Sequence, residues 1–353
     1  MKIAILNDTH CGIRNSSEIF LDNAEDFYNN IFFPECDKRN VKQIVHLGDY
    51  YDHRKFVNFK ALNQNRRVFL DQLRKRNMSM DIIPGNHDTY FKNTNELNSL
   101  KECLGHYMNE IHIVMEPTVM QYGSLSMGLL PWICADNYQQ SMNFIKDCKA
   151  DWLGAHLELN GFEFALGIRS THGMDAKIFS KFEQVISGHF HTASQQGNIW
   201  YLGNPLEFFW SDAHDPKYFH ILDTETREIE AIRNPISIFK KIVYDDSKVD
   251  YNDVDVSEYE KHFIKLIVIN KNDLYMFDKF IDKLNSIETY ELKIAESFEE
   301  YLGESVEDEK ISLEDTTQLL DSYVDAVETD LDKDHIKVEL RKLYTEAQNL
   351  EIL

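Results

Sequence analysis

The chain has 353 residues, of which 43% are hydrophobic and 27% charged, so it can build the core of two domains or of one large domain with an appendage, and disorder of the whole chain is excluded. Its 37 Lys and Arg stand against 60 Asp and Glu, a formal charge of −23, which argues against a protein that coats nucleic acid through a basic patch. Five cysteines, an odd number with no C-x-x-C pair, signal neither a disulfide framework nor a zinc knuckle and suit a reducing, cytoplasmic compartment. The opening MKIAILNDTH reaches polar residues too soon for a signal peptide, and no run of about 18 apolar residues predicts a membrane span.

In chain order, strand-like runs recur and each ends in a polar cluster. Residues 2–7 lead to Asp8, 43–47 to Gly48-Asp49, 81–84 to Gly85-Asn86-His87-Asp88, 152–155 to His156, and 183–187 to Gly188-His189. Helix-like stretches at about 20–39 and 59–77 separate the first three, giving the βαβ pattern of a layered α/β domain. Residues 111–132 read as β-hairpin material. After the turn signal Asn234-Pro235 come a strand-like 238–244, an acidic connector, a strand-like 263–269 and a helical 275–284, a small second α/β unit. An acidic stretch near 299–310 reads as a linker. Beyond it, Leu319, Leu320, Tyr323, Val324 and Val327, then Ile336, Leu340, Leu343, Tyr344 and Ala347, form the apolar stripes of two amphipathic helices. The charge divides unevenly: 23 basic and 30 acidic residues through 235 give −7, and 14 against 30 thereafter give −16.

The clusters at the strand ends contain oxygen and imidazole donors without thiolate. Sites in open α/β sheets form beyond the carboxyl ends of strands. If these segments are extended, residues i and i+2 point the same way, so Asp8 with His10, and His189 with His191, would each aim two ligands at one point. Such a set suits phosphoester hydrolysis with two divalent ions about 3.5–4 Å apart, and Mn, Fe or Zn before an all-oxygen site for Mg or Ca. Each piece alone has an ordinary reading: Gly48-Asp49 as a turn, an Asn-His pair as a helix cap, isolated histidines as satisfied core groups. Five of the fourteen histidines fall in these clusters, and together they outweigh that reading.

The ordered set D-x-H, G-D-x-x-D, G-N-H-D, G-x-H and G-H-x-H resembles the calcineurin-like metallophosphoesterase superfamily. Within it the chain is similar to the SbcD-type nuclease subunit of DNA double-strand-break repair complexes, in the form tailed phages carry as a recombination endonuclease subunit. HLELNGFEF (156–164), SGHFHT (187–192), YLGNP (201–205) and the two-helix tail carry that finer likeness.

The resemblance implies an α/β fold: a layered β-sandwich flanked by helices, with a small α/β capping domain and a C-terminal helix pair. The expected domains are a nuclease domain at 1–235, a DNA-capping domain at 236–298, an acidic linker at 299–311, and a helix-loop-helix docking segment at 312–353. One metal ion would be held by Asp8, His10, Asp49 and His191, and the other by Asp49, Asn86, His156 and His189, with Asp49 bridging. Mn2+ is the first choice, with Mg2+, Fe2+ and Zn2+ as others. His87 would act on the scissile phosphate, oriented by a hydrogen bond that it donates to Asp52. Arg54 is given no phosphate role, because His53 separates it from Asp52.

The implied activities are 3′-to-5′ exonuclease on duplex DNA and endonuclease on single strands, in recombination and repair. The implied partners are DNA ends, an SbcC-type coiled-coil ATPase docking on the C-terminal helices, and a second copy in a homodimer, in the host cytoplasm if phage-encoded. The alternative is a phosphatase or phosphodiesterase for small molecules or phosphoproteins. Arg66, Arg67, Arg74, Lys75 and Arg76 form a basic face, read as a solvated helix surface ahead of a DNA contact.

Overall fold

The computed structural model describes residues 1–165 and 167–296, with Val324, Lys333, Ile336 and Lys337 besides. The linker expected from the sequence, and the tail helices apart from those four helical positions, lie outside the described residues.

The strands in chain order are β1 (Lys2–Leu6), β2 (Gln43–His46), β3 (Ser79–Ile82), β4 (Ile111–Ile113), β5 (Thr118–Tyr122), β6 (Leu125–Leu130), β7 (Trp152–His156), β8 (Glu163–Ala165), β9 (Ile168–Arg169), β10 (Gln184–Gly188), β11 (Ser194–Gln196), β12 (Ile199–Tyr201), β13 (Lys217–Asp223), β14 (Ile229–Asn234), β15 (Phe239–Asp245), β16 (Phe263–Asn270) and β17 (Glu291–Ala295). They form two six-stranded sheets, ordered β14-β13-β1-β2-β3-β4 and β11-β12-β10-β7-β6-β5, a three-stranded sheet β15-β16-β17, and a hairpin β8-β9. The expected hairpin region is split: β5 and β6 pair antiparallel in the second sheet, whereas β4 joins β3 in the first.

The two large sheets face each other. Ile3, Ile5, Val45 and Ile83 from the first meet Met127, Leu129, Trp152 and Ile186 from the second in one buried cluster. Alternation places Ala4, Leu6, Ile44 and Met80 on the opposite face of the first sheet, under the helices. Those helices are the two the sequence predicts, each interrupted by a π-helical turn: Glu18–Phe27, Tyr28–Phe32 and Phe33–Lys38 in one, Phe59–Asn65, Arg66–Leu70 and Asp71–Arg76 in the other. The helix Tyr138–Asp147 and the aromatic rings of Phe179 and Phe182 cover the outer face of the second sheet. The result is a helix–sheet–sheet–helix sandwich.

This layering puts the site together. β1, β2 and β3 are mutually parallel, as are β7 and β10, so the polar clusters at their carboxyl ends gather along one rim.

The third sheet is parallel throughout and carries the helix Leu274–Ser286. β17 is not among the strands expected from the sequence; its five residues alternate polar and apolar, but the run is short. Aromatic rings join this sheet to the sandwich: Phe239 lies 4.9 Å from Trp210, and Phe263 lies 5.7 Å from Phe20. The buried carboxylate of Glu207 accepts hydrogen bonds from the amides of Ile238 and Phe239. Phe280, 1% exposed, fills the small core against Tyr251 at 4.8 Å. Phe280→Ala removes that ring and leaves a cavity, so it should destabilise this sheet by about 3–5 kcal/mol in urea unfolding. A cost under about 1 kcal/mol would mean the core is not packed as described.

Candidate metal centre

The rim brings together all seven residues expected as ligands. Among the described residues, three overlapping groups hold their donor atoms within 4.8 Å of one another: Asp8, His10 and His191; His10, Asp49 and His87; and Asp49, His156 and His189. Asn86 joins them, its Oδ1 standing 2.9 Å from both His156 Nε2 and His189 Nδ1. Asp49 is central, with Oδ2 at 3.2 Å from His156 Nε2 and 3.9 Å from His10 Nε2. His10 Nε2 and His191 Nε2 are 3.1 Å apart.

Convergence does not come from strand alternation. Asp8 (φ 48), His10 (φ 41), Asp49 (φ 54) and His189 (φ 88) all adopt left-handed backbone conformations. The expectation that Asp8/His10 and His189/His191 share a face of an extended segment is therefore corrected: tight, strained turns past the strand ends aim these side chains. Each such residue costs on the order of 1–3 kcal/mol and persists only where the surroundings enforce it. The enforcing contacts are visible. Asp8 accepts from the amide of His189 at 3.0 Å and from Asn7 Nδ2 at 2.6 Å. Asp49 Oδ1 accepts from the amide of His87 at 2.8 Å. Asp88 accepts from the amides of Tyr50, Tyr51 and Gly85, stapling the two carboxylate-bearing loops together. Burial and the charge of Asp49 push Asp88 up to about 6.

Hydrogen bonding fixes the imidazole tautomers. The carbonyl of Leu47 lies 2.8 Å from His156 Nδ1, and a carbonyl can only accept, so Nδ1 carries the proton. His156 Nε2 then turns a lone pair toward Asn86 Oδ1 and Asp49 Oδ2, which are also acceptors. Facing lone pairs repel unless a proton or a cation stands between them, and a carbonyl bond behind a ring is the usual support of a metal-binding histidine. The ionisation behaviour agrees. Burial alone would lower the His156 imidazole, but the charge of Asp49 and then Asp8 lifts it to about 9. Burial alone would raise Asp49, yet His156 first, then His87 and His10, hold it well below the carboxylate range. Burial, together with the charges of His10 and Lys217, keeps His191 well below the usual imidazole range and so neutral. The donors thus fit divalent ions: the buried Asp49 carboxylate demands positive charge, His156 meets that demand by holding a proton that a cation would displace, and His191 stays neutral.

The expected pairing of Asp52 with His87 is realised differently. The main-chain carbonyl of Asp52 bonds His87 Nδ1 at 2.5 Å, while the Asp52 carboxylate lies 3.4 Å from His10 Nδ1. His87 itself, expected beside the ligands, stands within the same 4.8 Å reach of His10 and Asp49. On the basic helix face, Arg67 pairs with Glu25, Arg74 with Glu110 and Arg76 with Asp37, in keeping with a solvated surface.

Several residues at the site have no signature in the sequence. Trp132 follows β6 and sets its ring 5.3 Å from His189 and 5.9 Å from His156. Phe208 lies edge-on to His10 at 5.4 Å, and Phe209 stacks on His191 at 6.2 Å. Asn7, directly before Asp8, also donates to the Gly203 carbonyl at 2.7 Å.

Residues 1–193 match the family model described as calcineurin-like phosphoesterase. The chain belongs to that family. It is 29% identical to exonuclease subunit 1 of Enterobacteria phage T4, over 98% of this chain and 99% of that protein. Among solved structures it is similar to an archaeal phosphodiesterase (18% identity, 66% of this chain and 100% of that one, TM-score 0.35). It is also similar to a hypothetical protein from Thermus thermophilus (12% identity, 67% and 100%, TM-score 0.36). Family membership makes the chain a metallophosphoesterase and the clustered Asp and His its candidate metal site. No helix among the described residues is long and apolar enough to cross a membrane.

Gly85 shows how tightly the site is built. A Cβ there would collide with Asp49 Oδ1 and the Asp49 amide. Gly85→Ala should displace Asp49 and weaken metal binding by about tenfold or more, read as Mn2+ affinity in a calorimetric titration. Unchanged affinity would remove Asp49 from the ligand set.

Proposed function

We propose that the chain is a two-metal DNA nuclease subunit that processes DNA ends in recombination and repair, with an SbcC-type ATPase as partner. One observation carries this reading: the convergence of acceptor groups around Asp49, in a chain similar from end to end to an exonuclease subunit. Asp8, His10, Asp49 and His191 would hold one ion and Asp49, Asn86, His156 and His189 the other, Mn2+ by preference, with Mg2+, Fe2+ or Zn2+ as alternatives. Bound there, the pair supplies Lewis acidity for the attacking and departing oxygens of an in-line displacement.

The protein's own groups do the rest. The Asp52 carbonyl requires a proton on His87 Nδ1, which leaves Nε2 as the atom that exchanges a proton with the leaving oxygen. The Asp52 carboxylate faces His10 and orients it. The Leu47 carbonyl fixes His156, and Asp88 holds the loops bearing Asp49 and Asn86 at a constant separation.

By the same likeness, residues 236–298 would cap the DNA above the site, and 312–353 would dock on the ATPase; two copies would form the working unit in the cytoplasm. The finer activities are 3′-to-5′ degradation of duplex ends and cleavage of single strands. A phosphatase or phosphodiesterase for small substrates would use the same ions, but a chain built for it has no need of the added sheet and tail.

The deciding experiment gives the Mn2+-loaded protein linear duplex DNA beside a small chromogenic phosphodiester, with and without the ATPase. Loss of the duplex is expected; cleavage of the chromogenic ester alone would favour the alternative. His87→Ala should cut turnover about 10²–10⁴-fold with metal content intact. Loss of bound metal in that variant would make His87 a ligand.

A further inference from the structure

Lys217 opens β13, yet it is 3% exposed and lies among buried carboxylates rather than in solvent. Its Nζ donates to Asp212 Oδ1 at 2.6 Å and Asp215 Oδ2 at 2.8 Å, and to the main-chain carbonyl of His191 at 3.3 Å. Asp212 and Asp215 are themselves 3% and 6% exposed. Burial alone would lower the Lys217 ammonium, but the two carboxylates outweigh it and keep it charged. Three buried charges are a costly way to hold a loop, since desolvation takes several kcal/mol per ion, and apolar groups of like volume often stabilise as well.

What this group touches explains its presence. Asp215 Oδ2 also accepts from Thr192 Oγ1 at 3.2 Å, so the triad grips the chain on both sides of the His191–Thr192 peptide. The same carbonyl of His191 accepts from the amide of Asn204 at 3.1 Å. Asp212 Oδ2 accepts from the amides of Phe208 and Phe209 at 2.7 and 2.9 Å. Those two rings are the wall against which His191 rests, at 5.8 and 6.2 Å. One cation and two carboxylates therefore tie the loop that carries His191 to the segment that backs its ring.

We propose that Lys217, with Asp212 and Asp215, is a positioning residue for the His191 half of the metal centre. It grips the loop at His191 and Thr192, past His189, whose amide is fixed instead by Asp8. This rests on the two-ion reading of the site. Removing the triad should weaken the ion that His191 holds and spare the other.

The test titrates Mn2+ into the full-length protein by calorimetry and follows the spin-coupled Mn2+ pair by electron paramagnetic resonance. Lys217→Met leaves two carboxylates buried without a cation and endangers folding. The decisive variant is therefore Lys217→Met/Asp212→Asn/Asp215→Asn, which removes all three charges together. One class of site should weaken about 10–100-fold, the scale for supporting contacts behind a metal ligand. The coupled signal should then appear only at higher Mn2+, while the second class keeps its affinity. Two unchanged classes in a variant of lowered melting temperature would show a purely structural triad and overturn the proposal, as would equal loss of both. A wild-type protein that binds two ions but cuts no DNA would sink the nuclease reading and leave this one to the isotherm.

Discussion

Asp49 is a carboxylate 1% exposed, and the groups around it are mostly acceptors. Its Oδ2 faces His156 Nε2, a nitrogen whose lone pair is turned inward because the Leu47 carbonyl holds the other ring proton. Asn86 Oδ1 and the remaining imidazoles crowd the same small volume. Electrostatics alone makes such a cluster untenable without positive charge inside it, since burying an uncompensated carboxylate costs on the order of several kcal/mol. The rest of the structure can be read as the means of keeping this repulsive set in place. Four residues sit in left-handed backbone conformations, Asp88 ties together the loops after β2 and β3, and Asp8 anchors the amide of His189 from the opposite sheet.

The layered fold follows from the same requirement. A single sheet could present Asp8, Asp49 and Asn86, but not His156 and His189. Packing two sheets face to face through Ile3, Ile5, Val45, Met127, Leu129 and Ile186 brings the carboxyl ends of β1, β2 and β3 alongside those of β7 and β10. The candidate ligand set is therefore shared between sheets, and the stability of the intervening core and the geometry of the site are one problem. The segment after β12 adds the back wall. Phe208 and Phe209 face His191, Glu207 clamps the start of β15, and Asp212 belongs to the triad around Lys217.

The strand ends were legible in the sequence because polar clusters with glycine interrupt short apolar runs, and the donor types are chemically unusual. What the sequence concealed was how they converge. Alternation suggested that Asp8 and His10 share a strand face, whereas both have left the strand and turned through positive φ, a property of the tertiary contacts that hold them. Trp132, Asn7 and Lys217 carried no spacing signal, because each acts through a partner distant in sequence, such as the Gly203 carbonyl or the His191 carbonyl. β17 alternates polar and apolar over only five residues, too short a run to stand out, and its place at the sheet edge is set by pairing with β16. The basic helix face was legible as charge, and the acids that neutralise it, Glu25, Asp37 and Glu110, lie on other elements. The formal charge of −23, which first weighed against nucleic acid, then leaves metal ions as the most direct source of local positive potential at the site.

The central claim is that these acceptors hold two ions bridged by Asp49. It is tested most directly by crystals grown with Mn2+ and an anomalous difference map collected near the manganese edge. Two peaks about 3.5–4 Å apart are expected, with the Asp49 carboxylate between them, His191 at one and His156 and His189 at the other. A single peak, or two peaks that Asp49 does not bridge, would contradict it.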